Sequence, residues 1–210
     1  MCELVLPAFG VHPWNASQYA GRLNDLSSAI EGSPILGEIG LDYHFIKDSS
    51  QYPAQREVFE YFLIAAKKQA KMVNLHTTGA EKDVLRLLER HNIKKVIVHW
   101  YSGPLNIFRE LAEKGVYFTV GASILDSEHI RKIAREIPPN QLLTETDCPG
   151  GPRMPTGDVG TPVQVKEVVQ ALAELKNTTV EAVIRTIQMN FLELIQDDPR
   201  LSEVYDLLNA

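Results

Sequence analysis

Two histidines and two carboxylates stand out because each lies within or closes a different apolar run. Glu38 falls in "GEIGLD", His76 in "MVNLHT", His99 in "VIVHWYSG" and Asp147 in "LLTETD". Imidazole and carboxylate are the ligand types of zinc and other first-row divalent ions. Glu38 poses the sharpest question, since it sits between Leu36 and Ile39 in what reads as a buried strand. A carboxylate there is costly unless it faces a cation or a set of donors. Taken singly, each residue has an ordinary reading. A histidine near a strand end is commonly a satisfied core residue, and an aspartate ahead of a proline commonly begins a turn. Four such residues on four separate runs favour a shared metal site, without naming a substrate.

The elements that must position them follow from the hydrophobic pattern. Short apolar, β-branched runs at 4–10, 35–41, 72–77, 95–100, 116–122 and 141–147 predict six strands. Amphipathic stretches at 16–30, 52–70, 80–90, 105–114 and 127–135 predict the helices between them. Two more are expected at 162–175 and 179–195, then a short terminal one. The clearest is "QREVFEYFLIAAKKQA", with Val58, Phe59, Phe62, Leu63 and Ala66 at helical spacing. Strict alternation with continuous apolar strands predicts an α/β fold, a parallel sheet covered by helices, in one domain over 1–210. Six strands suit a doubly wound sheet or part of an eight-stranded barrel. In a barrel the C-terminal strand ends converge, which would bring the four residues together. The Pro/Gly-rich "DCPGGPRMPTGDVGTP" then reads as a loop at that edge.

Composition narrows the class. The chain has 210 residues, a net charge of −6 and two cysteines, Cys2 and Cys148. That cysteine count does not make a disulfide scaffold, and no apolar run reaches the length of a membrane span. A cytoplasmic protein that does not engage membranes is expected. The acidic balance argues against a basic nucleic-acid coat but leaves a nuclease open, because metal ions supply local positive charge.

In order and spacing, "GEIGLDYH", "NLHTTGA", "VIVHWYSG" and "LLTETDCPGG", with "FGVHPW" before them, resemble the TatD family of metal-dependent hydrolases. The likeness runs from about Phe9 to the helix containing "NFLELI". It implies a TIM-type (β/α)8 barrel and hydrolysis with one to three divalent metals (Zn, Mn, Mg or Ni). It further implies that Glu38 bridges two metals, His76 and His99 complete one shell, and Asp147 binds the other. Glu145 shares the strand face of Asp147 and is expected to bind or orient a water, with packing or a salt bridge as the alternative. The family's Asp-x-His-x-His strand has no counterpart here, so the first two strands are expected to be missing. One metal position, the His₂Glu set, should survive and the second should be weak or empty. Thr78 stands where the family often has an arginine.

His12, Tyr101 and Arg153 complete the substrate-binding candidates. Each has an ordinary reading as a hydrogen-bonded, packed or solvated residue. His44 is a weaker candidate, and His91 and His129 are expected at the surface. The expected reaction is hydrolysis of a phosphodiester in nucleic acid or a small phosphoester, with Glu38 and Asp147 in catalytic roles. Three alternatives stand beside it. One is amidohydrolase-type cleavage of a small ester, lactone or amide; another is a non-catalytic relative acting in binding or assembly. The last is a start site assigned too far downstream. Exposed barrel edges predict a homo-oligomer.

Overall fold

The structure, a computed structural model, describes residues 5–150 and 161–209. Arg153, Cys2 and the first residue of the first expected strand lie outside the described residues. Six strands form one sheet: β1 (Ala8–Phe9), β2 (Ile35–Gly40), β3 (Met72–His76), β4 (Val96–Val98), β5 (Tyr117–Val120) and β6 (Leu142–Thr144). They lie in sequence order and every neighbouring pair is parallel. The helices are α1 (Ser27–Gly32), α2 (Tyr52–Gln69), α3 (Glu81–His91), α4 (Leu105–Glu113), α5 (Glu128–Glu136), α6 (Val165–Leu175), α7 (Val180–Ile195) and α8 (Ser202–Asn209). Among the described residues β1 pairs only with β2 and β6 only with β5. The result is six strands of a β/α barrel that does not close.

Two elements differ from expectation. The helix expected over 16–30 is two 3-10 turns, Pro13–Gln18 and Leu23–Leu26, followed by the short α1. Gly21 has φ of 76° between the turns, a left-handed conformation that interrupts a helix. The strands also stop short of their apolar runs. Trp100 (φ 39°) and Asp147 (φ 51°) turn left-handed just beyond β4 and β6, so His99, Glu145 and Asp147 sit on the strand-to-helix loops.

Alternating strand residues divide the core. One face of the sheet buries Leu36, Val73, Val98 and Phe118 against the apolar stripe of α2, including Phe59 and Phe62, and against its neighbours. The opposite face presents Ile35, Met72, Ile97, Tyr117 and Leu143, covered by Leu194, Ile195 and Leu201. The end of α7 and the turn into α8 therefore plug the N-terminal end of the open barrel. Asn190 of α7 fastens the plug by donating to the carbonyls of Pro139 and Leu142 at 2.7 and 2.8 Å. No helix among the described residues is long and apolar enough to cross a membrane.

Strand β2 explains the two glycines flanking Glu38. The β2–β3 register shifts between Leu36 and Ile39, a local irregularity of the kind that re-aims side chains. A Cβ on Gly37 would lie 2.7 Å from Asn74 Cβ, and one on Gly40, whose φ is 145°, would lie 1.9 Å from the His76 carbonyl oxygen. Both strands approach too closely there for any side chain.

Candidate metal centre and active site

The C-terminal strand ends surround a cavity of about 1110 Å³ whose lining includes Glu38, His76, His99, His12 and Asp147. Glu38 leaves β2 at the irregularity, His76 is the last residue of β3, and His99 follows β4 directly. His99 stays in register because its N–H donates to the Leu75 carbonyl at 3.1 Å.

One oxygen of Glu38 is the focus. Its Oε1 lies 2.9 Å from His76 Nδ1, 2.5 Å from His99 Nε2 and 3.6 Å from His12 Nε2. Burial pushes the Glu38 carboxyl upward, but hydrogen bonds from His12, His76 and His99 outweigh it and hold the group far below the ordinary carboxylate range. His99 responds in the opposite sense. Burial disfavours its charge, yet the hydrogen bonds of Glu145 and Glu38 raise it from 6.5 to about 10.

The far nitrogens of these rings assign their roles. His76 Nε2 sits 2.9 Å from Asp42 Oδ2, and His99 Nδ1 sits 3.3 Å from Glu145 Oε2. A carboxylate behind an imidazole draws the ring proton to itself and turns the other nitrogen's lone pair forward, the usual arrangement behind a metal ligand. In each ring the forward nitrogen is the one facing Glu38. Lone pairs converging on a carboxylate oxygen need a proton or a cation between them, so Glu38, His76 and His99 fit a divalent ion. His12 is turned the other way. Its Nδ1 accepts from the Trp14 N–H at 3.3 Å, which leaves a proton on Nε2, toward Glu38. His12, Glu38 and His76 also bring ligand atoms within 4.8 Å of one another. Proximity alone would make His12 a ligand; its tautomer makes it a donor.

Asp147 lines the same cavity. Burial raises its carboxyl, as do the nearby charges of Glu145 and Glu38, against the lowering effects of His99 and His76. Glu145 packs behind His99 rather than into the cavity, with its other oxygen buried and unpaired. Tyr101 is not brought to the site. It is 3% exposed, packs on Phe108 and Phe118, and donates its hydroxyl to the Pro104 carbonyl at 2.8 Å. Its neighbour Trp100 lines the cavity instead. His44 lies at the rim. His129 is exposed, as expected, and also lines the cavity, with Nε2 directed to the carbonyls of Ser102 and Gly103. His91 is only half-buried, but its Nε2 is shut away from solvent.

Sequence reasoning passed over Asp42, although it lies in the "GEIGLDYH" stretch. Its only signal was a second acid four residues after Glu38. A loop aspartate ordinarily organises a turn, and Asp42 does that too, with Oδ1 accepting from the N–H groups of His44 and Phe45.

The sequence profile of the TatD-related DNase family matches residues 2–196. YabD of Bacillus subtilis (strain 168), described as an uncharacterized metal-dependent hydrolase, is 31% identical over 191 residues, which cover 86% of this chain and 73% of YabD. The human deoxyribonuclease TATDN3 is 29% identical over 207 residues, covering 90% of this chain and 74% of its own. Among solved structures, YJJV, a TatD homolog from Escherichia coli K12, superposes with a TM-score of 0.82 at 27% identity, covering 90% of this chain and 76% of that one. Profile, relatives and fold agree, and the chain belongs to the TatD-related DNase family of metal-dependent hydrolases.

Proposed function

We propose that this chain hydrolyses phosphodiester bonds at a single divalent-metal site held by Glu38, His76 and His99. The observation that carries the reading is one carboxylate oxygen met by two imidazoles, each backed by its own carboxylate. The name of TATDN3 adds deoxyribonucleic acid as the first substrate to try. A His₂Glu set leaves coordination positions open for water and substrate. When bound, such an ion supplies Lewis-acid stabilisation of the phosphoryl charge and acidifies water.

The protein's own groups do the rest. Asp42 and Glu145 fix the two imidazoles. His12 directs its Nε2 proton into the cavity, where it can meet a phosphoryl oxygen. Asp147 orients the attacking water or accepts its proton, which is general-base work. Arg153 remains a candidate phosphate contact on the sequence reading. The orientation of His12, which turns a proton and not a lone pair toward Glu38, supports one metal at this cluster.

A second reading, cleavage of a small ester, lactone or amide, draws on the cavity wall. Among the described residues lining it, none is Lys or Arg, so a polyanion would find little fixed positive charge. The two readings part on substrates. Metal-loaded protein assayed with DNA, bis(p-nitrophenyl) phosphate, p-nitrophenyl acetate and a simple lactone should turn over the phosphodiesters preferentially. His76→Ala should lower that activity by more than about 100-fold, since even groups behind a metal ligand are worth 10–100-fold. Unchanged hydrolysis in His76→Ala would remove the site from the reaction. Self-association through the sides of β1 and β6 that have no strand partner among the described residues belongs to the same proposal, and light scattering tests it.

A further inference from the structure

Asp42 is fully buried, and every atom of its carboxylate is used. Oδ1 accepts from the His44 and Phe45 N–H groups at 2.9 and 2.7 Å. Oδ2 is shared, accepting from the Trp14 indole at 2.7 Å and meeting His76 Nε2 at 2.9 Å. The backbone of Asp42 is itself clamped. Its N–H donates to Gln55 Oε1 at 2.8 Å, and Gln55 Nε2 donates back to its carbonyl at 3.1 Å. Trp14 and Phe45, the residues held by the two oxygens, stand at the cavity mouth. They are 50% and 59% exposed, with rings 5.6 Å apart and edge to face. Exposed aromatic rings ordinarily swing. Trp14 is tied to that buried anion by its ring N–H, and Phe45 by its backbone N–H, with its ring held edge to face on Trp14.

We propose that Asp42 is a positioning residue with a double duty, orienting the ligand His76 and ordering the Trp14–Phe45 rim against which a planar ring of the substrate packs. The rim supplies apolar faces in a cavity whose described lining lacks Lys and Arg, so binding draws on ring stacking where fixed charge is scarce. The inference rests on the metal-site reading above and extends it to how metal and substrate ring are held in one frame.

Asp42→Asn separates this role from simple packing. The two backbone donors must still face an oxygen, so the amide cannot flip, and its NH₂ is forced toward Trp14 and His76. That NH₂ would donate to His76 Nε2, move the ring proton to Nδ1, and point it at Glu38, the wrong tautomer for a ligand. It would also face the indole N–H with a second donor.

The test is calorimetric titration of chelator-stripped protein with zinc, followed by kinetics on bis(p-nitrophenyl) phosphate at saturating zinc. Asp42→Asn should bind zinc about 10–100-fold more weakly than the unsubstituted protein. At saturating zinc its KM should stay raised more than its kcat is lowered, because the rim remains loose. Zinc affinity equal to the unsubstituted protein's would overturn the orienting role, and a KM equal to it would overturn the rim role. If Asp42→Asn fails to fold, the His76 tautomer in the unsubstituted, zinc-loaded protein, read by ¹⁵N NMR, carries the test. A proton on Nε2 is expected, and one on Nδ1 would overturn the proposal. If the unsubstituted protein takes up no zinc at all, the metal-site reading fails instead.

Discussion

At the scale of single side chains, Glu38 meets the Nε2 proton of His12 and two further imidazoles, His76 and His99, whose lone pairs a cation can join to the carboxylate. Asp147 shares the cavity, and proton handling is the role proposed for it. Asp147→Asn should therefore lower kcat by about 100- to 10,000-fold while leaving metal content unchanged, the range typical of a lost general base. Elemental analysis of the variant checks it, and loss of metal would return Asp147 to the ligand set. Glu38, His76 and His99 were legible because histidines and acids are conspicuous against apolar strands. Asp42 was not, because a loop aspartate organising a turn and one backing a metal ligand look identical in sequence. Tyr101 and Trp100 show a different limit. Both aromatics follow His99, and which of them faces the cavity depends on the left-handed backbone of Trp100, which residue patterns do not reveal.

Among the elements, β2 and the α7–α8 turn carry the strongest constraints. A Cβ at Gly40 would collide with backbone, at a φ that side chains rarely adopt. Gly40→Ala should destabilise the fold by about 3 kcal/mol or more. Gly32→Ala, where nothing lies within 4 Å, should be neutral or slightly stabilising at the end of α1. Urea denaturation of both variants checks the contrast. The turn into α8 is held by Asp198, whose carboxylate accepts from Arg200, while Arg200 reaches the carbonyls of Gln69 and Ala70 at the C-terminal end of α2. Burial raises the Asp198 carboxyl, but the hydrogen bonds and charge of Arg200 dominate and hold it below 3.8. A carboxylate with a lowered folded pKa stabilises fully above its unfolded value and loses that contribution as pH falls through the folded one. Asp198→Asn should therefore be less stable than the unsubstituted protein from neutral pH down to about pH 4, with the gap closing in stronger acid. Denaturation midpoints across that range test it; a gap independent of pH would exclude the ion pair as its source. The strands and most helices were legible from period and length. The 16–30 segment was not, because its polar and apolar spacing is helical while Gly21 breaks the backbone.

For the whole molecule, β/α alternation anticipated a parallel sheet covered by helices, and the resemblance to the TatD family, with six strands instead of eight, anticipated an unclosed barrel. What covers its inner face was not, since Leu194, Ile195 and Leu201 belong to a helix pattern that names no docking partner. That plug seals one end and leaves the cavity at the other, with the sides of β1 and β6 that have no strand partner among the described residues on the flanks. Light scattering should find a dimer or larger species, and a strict monomer at high concentration would contradict pairing at those sides. Glu38, His76 and His99 are proposed to hold one divalent ion together. The most direct measurement is metal content per chain, by elemental analysis, after zinc loading and exhaustive dialysis of the unsubstituted protein and His99→Ala. About one ion per chain is expected in the first and essentially none in the second. No retained metal in the first, or equal retention in both, would contradict it.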